Sequence, residues 1–178
     1  FRSGGRWHDS VSKTVWKLDS CKEGELTCSA QWRQLPIKQT WRIYAKGKGR
    51  FAIQVVLLVT GDTLLERQQF NLALREVYSR WSHRSRGGVF GMFPRDTGDD
   101  WQTVETVPAG AQPLSASCTK NGLPEVKLAV DEIREGWKLE AVNSDLCYRS
   151  RVLRLSNAGE TALSPGESVF FSGMLTIE

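Results

Sequence analysis

Residues 41–72 read WRIYAKGKGRFAIQVVLLVTGDTLLERQQFNL, and this stretch decides the fold class. Apolar residues alternate with polar ones on both sides of a glycine-rich turn at residues 46–49. They are Trp41, Ile43 and Ala45 before the turn and Phe51, Ile53, Val55, Leu57 and Val59 after it. Alternation at period two, interrupted by glycine-rich turns, is typical of antiparallel strands with one buried face. Residues 55–59 are apolar on both faces, so the second strand is expected to lie in a covered centre.

Composition places the chain among folded globular proteins. Its 178 residues are 40% hydrophobic and 25% charged, which predicts a single domain over residues 1–178 with a sizeable core. No apolar run approaches the ~18 residues of a membrane span, so no membrane insertion is expected. The chain begins at Phe1 without a signal-peptide pattern, which is typical of a mature or excised fragment.

Strand signals separated by turns continue to the end of the chain. They cover residues 12–18, 29–37, 101–107, 114–118, 125–130, 137–141, 148–155 and 168–177. One segment departs from this pattern, because Leu74, Val77, Tyr78 and Trp81 have the spacing of a helix face. We therefore predict an all-β, antiparallel, jelly-roll-like β-sandwich with at most one short helix, placed within residues 71–81.

The hairpin WRIYAKGKGRFAIQV and the closing strand LSPGESVFFSGMLTIE together resemble the jelly-roll β-sandwiches of carbohydrate-binding modules. This resemblance covers about half of the chain and concerns the fold. It implies recognition of a carbohydrate, but it assigns no functional residue. The closing pattern is also similar to trimeric jelly rolls such as viral or phage spike heads, which implies a structural or receptor-binding role instead.

The four cysteines predict two disulfides. They are even in number: Cys21, Cys28, Cys118 and Cys147. Because they include no C-x-x-C pair, a structural zinc site is not expected. Locality favours the pairs Cys21–Cys28 and Cys118–Cys147, although three pairings are open. Disulfides indicate a secreted or extracytoplasmic protein, whereas four thiols would indicate a cytosolic one.

A ligand site is predicted in the segment between Trp81 and Trp101, where long irregular loops often carry function. Indole rings stack on sugar rings, and guanidinium groups bind carboxylate, sulfate or hydroxyl-rich groups. The predicted ligand-binding residues are Trp81, Arg84, Arg86, Phe93 and Trp101. The alternative is a plain exposed basic loop with core tryptophans, in which case Tyr148 with Arg149 and Arg151 is the next place to look.

The acidic run at the end of the same segment suits a structural calcium ion. Asp96, Asp99 and Asp100 supply hard oxygen ligands on a turn, but the EF-hand spacing and its glutamate are absent. The alternative is a solvated acidic loop. No other cofactor is expected.

Catalytic motifs are absent from the sequence. It contains no G-x-S-x-G, no H-E-x-x-H and no phosphate-binding loop, and its only histidines are His8 and His83. We therefore predict a non-catalytic extracytoplasmic binding domain for a glycan or polysaccharide. The net charge of +4 permits an acidic glycan. The alternatives are a structural β-domain of an oligomeric spike or adhesin and a polyanion or nucleic-acid binder, and the oligomeric state is left open.

Overall fold

A computed structural model describes residues 1–98, 100–119 and 122–178. The described residues form seventeen strands and no helix. In chain order they are β1 (Arg2–Ser3), β2 (Arg6–Trp7), β3 (Thr14–Lys22), β4 (Glu25–Trp32), β5 (Ile37–Ala45), β6 (Arg50–Val59), β7 (Thr63–Leu65), β8 (Gln68–Arg75), β9 (Arg80–His83), β10 (Arg86–Val89), β11 (Gln102–Thr106), β12 (Leu114–Ser117), β13 (Val126–Val130), β14 (Trp137–Asn143), β15 (Ser150–Asn157), β16 (Thr161–Leu163) and β17 (Gly166–Ile177). Within these residues, no helix is long and apolar enough to cross a membrane.

The chain divides into two compact units. Unit 1 comprises Phe1–Gln68 and Asn157–Met174, and unit 2 comprises Gln69–Ser156 and Leu175–Glu178. Strand β17 therefore contributes residues to both units. The expectation of a single domain stays a prediction.

The sheet of unit 1 is built around the hairpin of β5 and β6. Its strands follow the order β17–β6–β5–β4–β3, and the pairs from β6 to β3 are antiparallel. The turn between β5 and β6 contains three successive residues with positive φ, namely Gly47 at 74°, Lys48 at 50° and Gly49 at 69°. Glycine adopts this region without steric cost, which explains why the glycine-rich tetrad turns the chain here.

The alternation in β6 has the predicted phase. Ile53, Val55, Leu57 and Val59 are all buried, and Val56 on the other face is buried as well. The neighbouring aromatic cluster of unit 1 places the Phe1 ring 5.0 Å from Trp32 and 5.2 Å from Phe170. The central hairpin and its buried core are therefore confirmed.

Unit 2 contains two sets of four hydrogen-bonded neighbouring strands. One has the order β10–β9–β12–β13 and the other the order β11–β14–β15–β8, and strands β12 and β14 contact one another. The core is formed by the apolar faces of both sheets. Its most buried members include Leu114, Ala116, Leu128, Leu139, Ala141, Leu153 and Leu155. The all-β antiparallel fold is confirmed, while the jelly-roll connectivity stays a prediction.

The predicted short helix in residues 71–81 is wrong. Leu74 lies in β8, the chain turns at Glu76 and Val77, and Trp81 lies in β9. Tyr78 and Trp81 are both buried. Their helical spacing arises because two strands joined by a turn each contribute apolar residues to the core.

The predicted disulfides are not formed, because all four cysteines are thiols. The β3–β4 register places Cys21 opposite Leu26, and Cys28 opposite Leu18. The first pair are therefore diagonal neighbours, about 7–8 Å apart, which is beyond the Cα separation that a disulfide spans. Cys118 follows β12 of one sheet, whereas Cys147 lies in the turn between β14 and β15 of the other.

Candidate functional site

Trp81 lies inside the β9–β10 hairpin rather than at the border of an open loop. It is 7% exposed, and its indole Nε1–H donates to the carbonyl oxygen of Val89 at 3.2 Å. It faces Gly88 across the strand pair, where an added Cβ would lie 2.5 Å from the indole Cζ2. Because glycine leaves this space open, the ring packs against the neighbouring strand. The Trp81 ring is therefore part of the packing of this hairpin, and its role in ligand binding stays a prediction.

The two predicted arginines flank the turn of the same hairpin. Arg84 is exposed, and its backbone N–H donates to Ala111 O at 2.9 Å. Arg86 forms an ion pair with the buried carboxylate of Glu105 at 2.5 Å. On the other side of Glu105, His83 Nε2 lies 3.7 Å from its second oxygen. Arg86 therefore has a counter-ion within the chain, while its own side chain is 66% exposed.

Phe93 contacts a buried arginine. The guanidinium carbon of Arg151 lies 3.8 Å from the centroid of the Phe93 ring, and its nitrogens donate to Asn143 Oδ1 at 2.6 Å and Gly91 O at 2.9 Å. Burial lowers the pKa of Arg151, while the negative charge of Glu76 partly offsets that effect. These contacts attach residues 90–93 to β14 and β15, so Phe93 and Arg151 act first as packing partners.

The acidic residues have local partners. Asp96 Oδ1 accepts the Gly98 N–H at 2.8 Å, and Asp100 Oδ1 accepts a hydrogen bond from Arg154 at 2.7 Å. Asp99 lies outside the described residues. Among the residues that the structure does describe, no three His, Cys, Asp or Glu side chains are grouped as metal ligands. The calcium site stays a prediction.

A shallow groove of about 500 Å³ opens between the end of β8 and the turn before β15. Residues 73–77 and 148–150 line it. Tyr148 is 68% exposed, and the centroid of its ring lies 5.7 Å from that of Trp101. Trp101 is half-buried and lies next to a residue that lines the groove. The groove combines the exposed ring of Tyr148 with charged side chains.

The turn that carries Tyr148 is held by a dense set of hydrogen bonds. Asp145 Oδ1 accepts the N–H groups of Cys147 at 2.9 Å and Tyr148 at 3.1 Å, and Asp145 O accepts that of Arg149 at 3.0 Å. Ser144 Oγ accepts the Ser150 N–H at 2.7 Å. A turn ordered before a ligand arrives loses little conformational entropy on binding.

Arg149 has a backbone conformation that is uncommon for a residue with a side chain. Its φ is 48°, in the left-handed region. Residues other than glycine that adopt this strained conformation are often found at functional sites. Its guanidinium donates to Glu76 Oε2 from Nε at 2.8 Å and from Nη2 at 2.7 Å. Both side chains remain exposed in this ion pair. Together with exposed Arg75, the lining carries one net positive charge.

A buried charge network supports the aromatic pair. The Arg154 side chain is 3% exposed, and it donates to Asp100 Oδ1 at 2.7 Å and Glu140 Oε2 at 3.1 Å. Thr103 Oγ1 donates to the other Glu140 oxygen at 3.1 Å. Asp100 Oδ1 also accepts the backbone N–H of Trp101 at 2.7 Å. Because the side chains of this network hydrogen-bond one another, the network holds the backbone at Trp101 in place.

The sequence interpretation did not single out the β8 side of the groove. Arg75 and Glu76 lie within the segment that was interpreted as one helix face, so the end of β8 at Arg75 and the turn at Glu76 were not predicted. The useful signal was the polar pair itself, which interrupts the apolar residues between Leu74 and Val77.

No protein family model matches this chain, and no curated protein matches it either. The function of the groove is therefore inferred from its side chains and their geometry.

Proposed function

We propose that this chain is a non-catalytic binding module that recognises a carbohydrate in the groove beside Tyr148. The observation that carries the proposal is the exposed Tyr148 ring, held 5.7 Å from Trp101 by an ordered turn. An aromatic face packs against the apolar face of a sugar ring, while nearby polar groups bond to its hydroxyls. Arg149 and Glu76 supply such donors and acceptors at the groove wall.

The alternative of a polyanion or nucleic-acid binder has less support at this groove. Glu76 compensates Arg149, and one net positive charge is little for a partner whose affinity comes from many phosphate contacts. A glycan with a carboxylate or sulfate group would suit the exposed Arg75. The extracytoplasmic location stays a prediction that rests on the ligand class, since the cysteines form no disulfide.

The test is glycan-array screening of the whole chain, followed by calorimetric titration of the best glycan. Tyr148→Ala is expected to weaken binding at least about tenfold, which corresponds to the ~1.4 kcal/mol or more lost with a central aromatic anchor. The matched control is Tyr44→Ala, which removes the same ring from β5 of unit 1. Unchanged binding in Tyr148→Ala would refute the site, and no binding to any glycan would refute the proposed function.

A salt series with the same glycan separates the ligand classes. Binding dominated by stacking should change little with ionic strength, whereas phosphate-dominated binding falls steeply as salt rises. Arg75→Gln should weaken only the binding of an acidic glycan. If Arg75→Gln weakens the binding of acidic and neutral glycans equally, the arginine bonds to hydroxyl groups or stabilises the fold, and it does not bind an anion.

A further inference from the structure

Strand β3 presents a long edge in unit 1. It lies at the end of the strand order, and within the described residues it pairs only with β4. It spans nine residues, Thr14–Lys22. A long edge strand offers a row of backbone N–H and C=O groups to another chain, and natural proteins normally blunt such edges.

The edge carries exposed apolar side chains. Val15 is 56% exposed, Trp16 is 42% exposed and Leu18 is 61% exposed. The Trp16 ring is held in place, because its Nε1–H donates to Ser10 O at 2.7 Å and its centroid lies 6.0 Å from that of Trp41. Trp16 and Leu18 lie on one face of the strand and Val15 on the other, so both faces of this edge carry exposed apolar side chains, as interaction surfaces often do.

A bulge limits the regular part of this edge. The register with β4 shifts between Leu18 and Ser20, so Thr14–Leu18 is the segment with an unbroken ladder. Charged residues stand just beyond its two ends, Lys13 before it and Asp19 after it. A partner strand therefore meets a short apolar segment that is flanked by opposite charges.

We propose that two copies of this chain pair antiparallel through β3, with Trp16 opposite Trp16 of the second copy. In this register Val15 faces the aliphatic stem of Lys17, and Lys13 faces Asp19, so both ends of the segment carry complementary charges. The arrangement is two-fold symmetric, which makes the same patch serve both copies. Cross-strand aromatic pairs and opposite charges each stabilise a sheet. This self-complementarity favours a second copy over an unrelated strand.

The test is sedimentation equilibrium of the 178-residue chain over a wide concentration range. The expected result is a dimer with twice the mass of one chain. Val15→Lys places an ammonium group against Lys17 of the second copy, so the dissociation constant should rise at least about tenfold. The matched control is Val89→Lys on β10, since Val89 is 63% exposed, and it should leave the dimer unchanged.

A charge reversal tests the register independently. Lys13→Asp opposes Asp19 of the second copy and should weaken the dimer, and adding Asp19→Lys should restore it. Circular dichroism confirms the fold of each variant, and Lys13→Asp alone still decides the register if the double variant fails to fold. A monomer at every concentration overturns the proposal, and any partner of the β3 edge would then be a different protein. A dimer that withstands Val15→Lys and Lys13→Asp overturns it as well.

Discussion

Gly88→Ala tests whether Trp81 is a core residue or a ligand residue without removing its ring. An added Cβ at Gly88 would lie 2.5 Å from Trp81 Cζ2 and 2.8 Å from Cε2. Contacts this short do not occur in folded proteins, so the indole or the strand must shift. The indole is 7% exposed and its Nε1–H is bonded to Val89 O, so it has little room to move.

The expected cost of Gly88→Ala is about 1–3 kcal/mol in the free energy of unfolding, the usual range for overpacking a filled core. Removing the ring with Trp81→Ala should cost more, about 3–5 kcal/mol. Gly61→Ala is the matched control, because its added Cβ would lie 3.5 Å from Pro36 Cβ, an ordinary contact distance. That control should stay within about 0.5 kcal/mol of the parent protein.

Urea denaturation followed by far-ultraviolet circular dichroism measures all three variants, because this signal does not depend on the tryptophan that is changed. The assignment of Trp81 to the core is refuted if Gly88→Ala unfolds at the same urea concentration as Gly61→Ala. That result would mean that the Trp81 ring can leave its place in the hairpin, and glycan titration of Gly88→Ala would then show whether the displaced ring binds a sugar.

Two further predictions concern buried charge and thiol reactivity. Arg154→Met should cost about 3–5 kcal/mol of stability, since it leaves the Glu140 carboxylate buried without its cation. Arg149→Met removes an exposed ion pair and should cost about 1 kcal/mol or less. Equal costs of the two variants in urea denaturation would contradict a stabilising role of the buried network. Burial raises the pKa of the Cys28 thiol and the charge of Asp19 raises it further, so Asp19→Asn should speed the reaction of Cys28 with Ellman's reagent at pH 7. An unchanged rate would mean that access rather than thiolate content limits the reaction.

Much of the fold follows from local sequence patterns. The period-two alternation around residues 46–49 predicts β5, β6 and their turn, and the buried residues Ile53 and Leu57 have the predicted phase. Alternation predicts a strand because neighbouring side chains point to opposite faces whatever the strand later pairs with. The glycines at 47 and 49 predict the turn for an equally local reason, their tolerance of positive φ.

The helix prediction failed because spacing alone does not distinguish one helix face from two strands joined by a turn. Leu74 lies in β8, Trp81 lies in β9, and Tyr78 lies in the connection between these two strands. What decides between the two structures is whether partner strands exist, and β9 is paired with β10 and β12. Strand β12 is distant in sequence from the pattern that suggested a helix, and β10 follows that pattern.

The candidate site also combines features that the sequence predicted with features that depend on strand register. Aromatic and arginine residues were expected to bind, and Trp101 does lie beside an open groove. Trp81 has the same chemistry but is buried, because Gly88 on the opposite strand makes room for it. Exposure of a tryptophan depends on which residue the register places across from it, which a single sequence does not specify.

The amino-acid sequence by itself determined the all-β class and the central hairpin, because both depend on side-chain alternation and turn residues within a few positions. Only the tertiary structure decided which aromatic ring is exposed, which carboxylate neutralises which arginine, and that Cys21 lies diagonal to Cys28 rather than opposite it. These features depend on strand register and on contacts between distant segments. A one-residue change of register would move every side chain of a strand to the other face, so local patterns cannot determine them.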